Sequence, residues 1–355
     1  MKAGVGAARL GRPPLPRPRG ALSDTVISWL RTGEGPLPTR EKVQREGPYG
    51  ADLQLALYVL YELHYQGFEG VEDDLEWAPA LLSARRCLEE AFLQALRDDV
   101  PVLSAQEEMA GLLIEPAADD GSSVSHYLKR EGRLWQLREY AAVRSLYHLK
   151  EADPHAWVLP RLRGRAKAGM AAIEFDEFGA GRAEDIHAQL FADLMADLAL
   201  EPAYGHYVDL APAETLALVN LMSLLGLHRS LRGALIGHFA TVEVTSSPGS
   251  RRLAEAMRRT GAGPAAERFY DEHVEADAVH EQVVRTEVVE GLLTDHPELE
   301  PDVAFGIGAT VLLEDRLAAY LLAAWRENRS ALPAPLPPVR APTPSTWTST
   351  VTSPP

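Results

Sequence analysis

The chain has 355 residues, 46% hydrophobic and 24% charged, with 51 acidic against 35 basic side chains and a formal net charge of -16. That is enough for one large domain or two small ones with a sizeable core. The acidic balance argues against a nucleic-acid partner, which needs a basic face. The single cysteine, Cys87, excludes an internal disulfide and fits a reducing compartment.

Residues 1–21 carry Arg9, Arg12, Arg17 and Arg19 among prolines and glycines. They lack the apolar core of a secretory signal and read as a disordered basic arm of a cytoplasmic protein. No apolar run is long enough to cross a bilayer, so no membrane partner is expected. A short helix is predicted over Thr25–Arg31. From Ala51 to about Gly67 the residues Leu53, Leu57, Leu60, Tyr61 and Leu63 recur at helical spacing, with Glu62 embedded among them. Asp73–Arg97 reads as a helix in which Cys87 is a small core residue. Ala105–Leu113 reads as a short helix, Pro116–Ser123 as a polar loop, and Ser123–Lys129 and Leu134–Leu149 as helices. A turn follows at Glu151–His155, where Asp153 can cap.

Helical pattern then runs to about Phe178, until Gly179-Ala180-Gly181 breaks it. A new helix is predicted from Ala183 to Leu198, carrying His187. Pro212–Thr245 is apolar and helical, with a kink expected near Gly226 or Gly233. Ser246-Ser247-Pro248-Gly249-Ser250 reads as a break. Pro264–Leu293 and Pro297–Asn328 are the last long helices, and from Ala331 the composition turns to Pro, Ser and Thr and reads as a disordered tail. No strand and no internal repeat is evident. The chain reads as all-α, a bundle within residues 22–330.

The stretch His273-Val274-Glu275-Ala276-Asp277-Ala278-Val279-His280 is the most informative. Its three potential metal ligands stand at i, i+4 and i+7, within an arc of roughly 60° on one helix face. Phe269-Tyr270 and Val283-Val284 continue that face with apolar residues. A buried ionised Asp is costly unless paired or bound to metal. The competing reading is a solvated face, since Glu275, Glu281 and Glu287 share the segment. Glu62, Glu177, His187, Glu243, His273, Asp277 and His280 together stand on or beside apolar faces of several helices. Bundles build two-metal sites from inward carboxylates and imidazoles of this kind. Glu62 has an alternative as a core ion pair, and Glu243 as an exposed residue at a helix end. His148, His155 and His238 read as structural, Glu174, Asp176 and Glu184 as solvated or capping, and Glu314 and Asp315 as an ion pair beside Arg316.

The run EADPHAWVLPRLRGRAKAGMAAIEFDEFGAGRAEDIHAQLF, from Glu151 to Phe191, resembles the bacterial iron-containing redox enzyme family, one of the haem-oxygenase-like di-iron oxidases. The resemblance extends from about Ala51 to Trp325. It implies a haem-oxygenase-like fold of about seven core helices. It matches Glu62 to a first-helix ligand, Glu177 and His187 to a Glu-x9-His pair, and His273, Asp277 and His280 to a His-x3-Asp-x2-His triad. Glu243 stands where some members add a carboxylate. Ten residues of unbroken helix turn about 280° beyond two full turns, so Glu177 and His187 need the break at Gly179–Gly181 to share a site. The resemblance further implies two iron ions, cycling between Fe(II) and Fe(III), O2 as co-substrate, a small organic substrate and a homodimer. The alternatives are an iron store, for which paired Glu-x-x-His motifs are expected, and a non-catalytic helical interaction protein.

Overall fold

The computed structural model describes residues 11–114 and 121–336, which contain no strand. The long helices are α1 (Ala21–Thr32), α2 (Ala51–Glu62), α3 (Pro79–Asp99), α4 (Leu134–His148), α5 (Gly164–Glu177), α6 (His187–Asp197), α7 (Ala213–Leu227), α8 (Arg232–Thr260), α9 (Pro264–Val283) and α10 (Glu300–Arg326). None is long and apolar enough to cross a membrane. The fold is therefore all-α, as its apolar periodicity implies.

Helix α8 is the spine, packed along α9 on one side and α10 on the other. Glycines let α8 and α10 approach. A Cβ on Gly237 would run into the Val303 carbonyl, and one on Gly306 into the Ala234 carbonyl. Helix α6 lies along α9, and α7 along α2. Both α2, from Leu53 to Glu62, and α7, from Thr215 to Gly226, are buried all round. That is why their apolar residues run nearly continuously and leave little amphipathic pattern.

Several boundaries differ from the sequence reading. Residues 11–20, expected within a disordered arm, form an extended segment that is pinned to the bundle. The Arg17 side chain reaches Asp209 at 3.0 Å, Arg19 donates to the Val208 carbonyl, and the Glu69 N–H donates to the Pro13 carbonyl. At the other end, Ala331 and Leu332 are buried, and the Ala331 N–H donates to Glu139 at 3.0 Å. Residues 1–10, most of the Pro116–Ser123 loop and the tail beyond residue 336 lie outside the described residues.

The break expected at Ser246–Ser250 is absent, because α8 runs through Pro248 to Thr260. Proline forfeits one helical hydrogen bond there, but α8 is held on both flanks by α9 and α10. The interruption between α7 and α8 falls at His228–Leu231, between Gly226 and Gly233, where the kink was expected. Past α9 the helix widens into a π-helical segment, Val284–Val289, a feature concentrated at functional sites.

Candidate metal centre

Helix α9 starts at Pro264, where the Asp197 carboxylate accepts from the backbone N–H groups of Ala265 and Ala266 at 2.6 and 3.2 Å. That cap sets the register of a buried stripe, Ala266, Phe269, Tyr270, His273, Asp277 and His280. The first half of the stripe is apolar and the second half carries the donor atoms. His273 donates its Nδ1–H to the Phe269 carbonyl at 2.7 Å, which leaves Nε2 facing the interior. His280 is turned the other way. Its Nε2 lies 3.4 Å from exposed Asp176, and its Nδ1 lies 3.2 Å from Glu243, 3.5 Å from Glu177 and 3.6 Å from Asp277.

Glu177 and His187 meet across the loop between α5 and α6. Gly179 and Gly181 take φ of 77° and 86° there, and a Cβ on Gly179 would strike the Ile186 backbone. The turn brings Glu177 Oε2 to 2.8 Å from His187 Nδ1. His187 is the first residue of α6, not a residue within a helix begun at Ala183. Glu243 is buried in mid-helix on α8, away from any helix end.

These side chains gather into two groups whose donor atoms lie within 4.8 Å of one another: Glu151, His187 and His273 in one, and Glu177, Glu243, Asp277 and His280 in the other. The Glu177–His187 contact joins them. All seven residues are buried. A small cavity between them is lined by Glu151, Glu177, Glu243, His273 and Asp277 together with Tyr147, His155, Phe239, Val242 and Ser246. It has room for little more than a water-sized molecule.

Glu62 is the exception among the sequence candidates. The structure places it outside both groups, with Oε2 3.0 Å from Lys150 Nζ and Oε1 2.5 Å from the Tyr204 hydroxyl. Its apolar surroundings signalled burial correctly, but a buried lysine already neutralises it. The residue missed by sequence reasoning is Glu151. It follows α4 in a turn, so no helical period marks it. The available signal was a charged Lys150-Glu151 pair set between Leu149 and Ala152. His148 Nδ1 holds Glu151 Oε2 at 3.0 Å, and His273 Nε2 lies 3.7 Å from Oε1. Glu174, expected to be solvated or capping, is buried, and Glu314, expected in an ion pair beside Arg316, pairs with Arg144 at 2.6 Å.

The electrostatics fit a cation site. Burial pushes the Glu243 carboxyl up to about 8, opposed by His280 and reinforced by Glu177 and Asp277. Burial works against charge on His273 and His280, yet the surrounding carboxylates hold them up at about 10 and about 11. Burial would likewise raise Glu151, but His148 and His273 hold it well below the usual carboxylate range. The metal-free cluster thus keeps protons where positive charge is wanted. Four carboxylates and three neutral imidazoles would balance two divalent ions. Buried Asp277 Oδ2 has no partner among the described residues, and His187 Nδ1 and His273 Nε2 make no hydrogen bond by geometry, meeting only the carboxylates of Glu177 at 2.8 Å and Glu151 at 3.7 Å. Orphaned polar atoms of this kind call for an ion or water, and all three belong to the two groups. The residues present therefore fit a metal pair.

Fold and site together define a helical bundle whose candidate metal ligands face inward from α5, α6, α8, α9 and the turn after α4. The chain matches the iron-containing redox enzyme family over residues 138–315, half of its length, and belongs to that family. The matched region contains every residue of both groups and leaves Glu62 outside. No curated protein matches the chain.

Proposed function

We propose that this protein is a non-haem di-iron oxidase or oxygenase that uses O2 to oxidise a small organic substrate. Membership of an iron-containing redox family points to an oxidoreductase. The observation that carries the finer reading is the joining of two ligand groups of unequal charge around one small cavity. Glu151, His187 and His273 would hold one ion, and Glu177, Glu243, Asp277 and His280 the other. Iron so held supplies the electrons for oxygen chemistry.

The chain's own residues supply orientation and enclosure. The Phe269 carbonyl aims His273 Nε2 inward, Asp176 receives the Nε2–H of His280, and His148 steadies Glu151. Hydrogen-bonded partners of this kind fix ligand geometry. Tyr147, Phe239 and Val242 line the cavity with apolar surface, and the water they exclude strengthens the electrostatics inside. An iron store is less well supported, since neither ligand group contains the Glu-x-x-His pair expected of one. The test is oxygen uptake by the anaerobically Fe(II)-loaded protein, with and without a panel of small organic substrates. Oxygen consumption that scales with bound iron and is accelerated by at least one substrate supports the reading. Iron bound without any oxygen consumption would refute it.

A further inference from the structure

His155 and His238 form a buried pair outside both ligand groups. Thr310 Oγ1 donates to the Gly306 carbonyl at 2.7 Å, and His238 Nδ1 lies 2.8 Å from the same oxygen. A hydroxyl has one hydrogen, so toward His238 this oxygen accepts, and His238 carries its proton on Nδ1. Burial pushes His238 down to about 4 and His155 well below the usual imidazole range, so both rings are neutral. His238 Nε2 is then bare and accepts across 3.1 Å from His155 Nε2–H. His155 is left with a bare Nδ1. That nitrogen has no partner among the described residues, and the ring lines the cavity between the two ligand groups. Phe239 at 5.0 Å and Tyr147 at 6.1 Å between ring centroids hold it in place.

We propose that His155 is a contact residue of the cavity whose unprotonated Nδ1 receives the N–H or O–H of a small protic molecule bound beside the metal ligands, with His238 and Thr310 as positioning residues that fix its tautomer. The inference rests on the metal-centre reading for what shares the cavity, but the tautomer does not depend on metal. The carboxylates of the cavity are committed to the ligand groups. Beside the hydroxyls of Tyr147 and Ser246, His155 is the ring nitrogen acceptor lining the cavity outside the ligand groups, placed to select a protic ligand over one without a hydrogen.

The test has two parts. Long-range proton–nitrogen correlation spectra of the histidine-labelled, metal-free protein should show His155 protonated at Nε2 and bare at Nδ1, and His238 the reverse. Thr310→Val should shift the ring nitrogens of both histidines toward averaged values, and Thr310→Ser should restore them. Anaerobic cobalt(II)-loaded protein is then titrated with hydroxylamine, which carries N–H and O–H groups, and with azide, which carries no hydrogen. His155→Phe should weaken hydroxylamine about tenfold, the scale of one hydrogen bond, and leave azide within about twofold. His155 protonated at Nδ1, or hydroxylamine and azide affinities that fall together or not at all, would overturn the proposal. Failure to bind cobalt would count against the metal-centre reading, and the nitrogen spectra would still decide the tautomer.

Discussion

Glu243 and Glu174 show what single carboxyl groups do in this interior. Glu243 belongs to the ligand group of Glu177, Asp277 and His280, the one richer in carboxylates. Glu243→Gln keeps the shape but offers a neutral, weaker donor to a hard cation. Elemental analysis should find about one iron per chain in that variant against two in wild type. Glu174 is outside both groups, buried, with neither carboxyl oxygen partnered among the described residues. Burial, followed by Glu177, Glu243 and Asp153, pushes it up to about 9. A folded-state value above the unfolded one means that the folded protein holds the extra proton. Its stability is therefore full below the ordinary value of 4.5 and is lost as pH rises toward 9. Glu174→Gln removes that loss. Its melting temperature should exceed wild type by several degrees at pH 8 and match it near pH 4.5; equal shifts at both would place Glu174 in contact with water or an unseen partner.

At the scale of elements, helices with a one-sided apolar stripe were legible. The His273, Asp277, His280 face of α9 and the break between Glu177 and His187 both follow from spacing and glycine placement. What was illegible has physical causes. Glu151 sits in a turn, where side-chain direction has no period to read. Glu62 lies on an all-buried helix, where pattern shows depth but not partner, and the partner, Lys150, is 88 residues away. Pro248 looked like a terminus because its local propensity is poor, but the packing of α8 against two neighbours overrides propensity. The α5–α6 loop gives the sharpest element-level test. Gly181 has a φ of 86°, whereas proline is locked near about -65°. Gly181→Pro should misplace His187 against Glu177 and lower iron content to one ion or fewer, with helix content by circular dichroism nearly unchanged. Wild-type iron content in that variant would show that the loop does not set the site.

For the molecule as a whole, metal binding and folding are linked through protons. His273, His280 and Glu243 hold their protons at neutral pH in the metal-free state, and metal must displace them. Calorimetric titration in buffers of differing ionisation enthalpy should register about two to three protons released near pH 7, and affinity should fall as pH falls. The raised values also have one sign for stability. His273 and His280 contribute stability that is full below 6.5 and lost as pH rises through about 10 and about 11, and Glu243 loses its share between 4.5 and about 8. The metal-free melting temperature should therefore decline with rising pH, and bound metal, by mass action on the folded state, should raise it and flatten the decline.

The central claim is that two ions are held by the residues that the bundle brings together, with Glu151 among them and Glu62 not. Iron per chain, measured by elemental analysis after anaerobic Fe(II) loading and desalting, tests this most directly when wild type is set beside Glu151→Gln. The account predicts two irons per chain in the wild type and about one in the variant. Wild-type protein that retains no iron, or a Glu151→Gln variant that retains two, would contradict it.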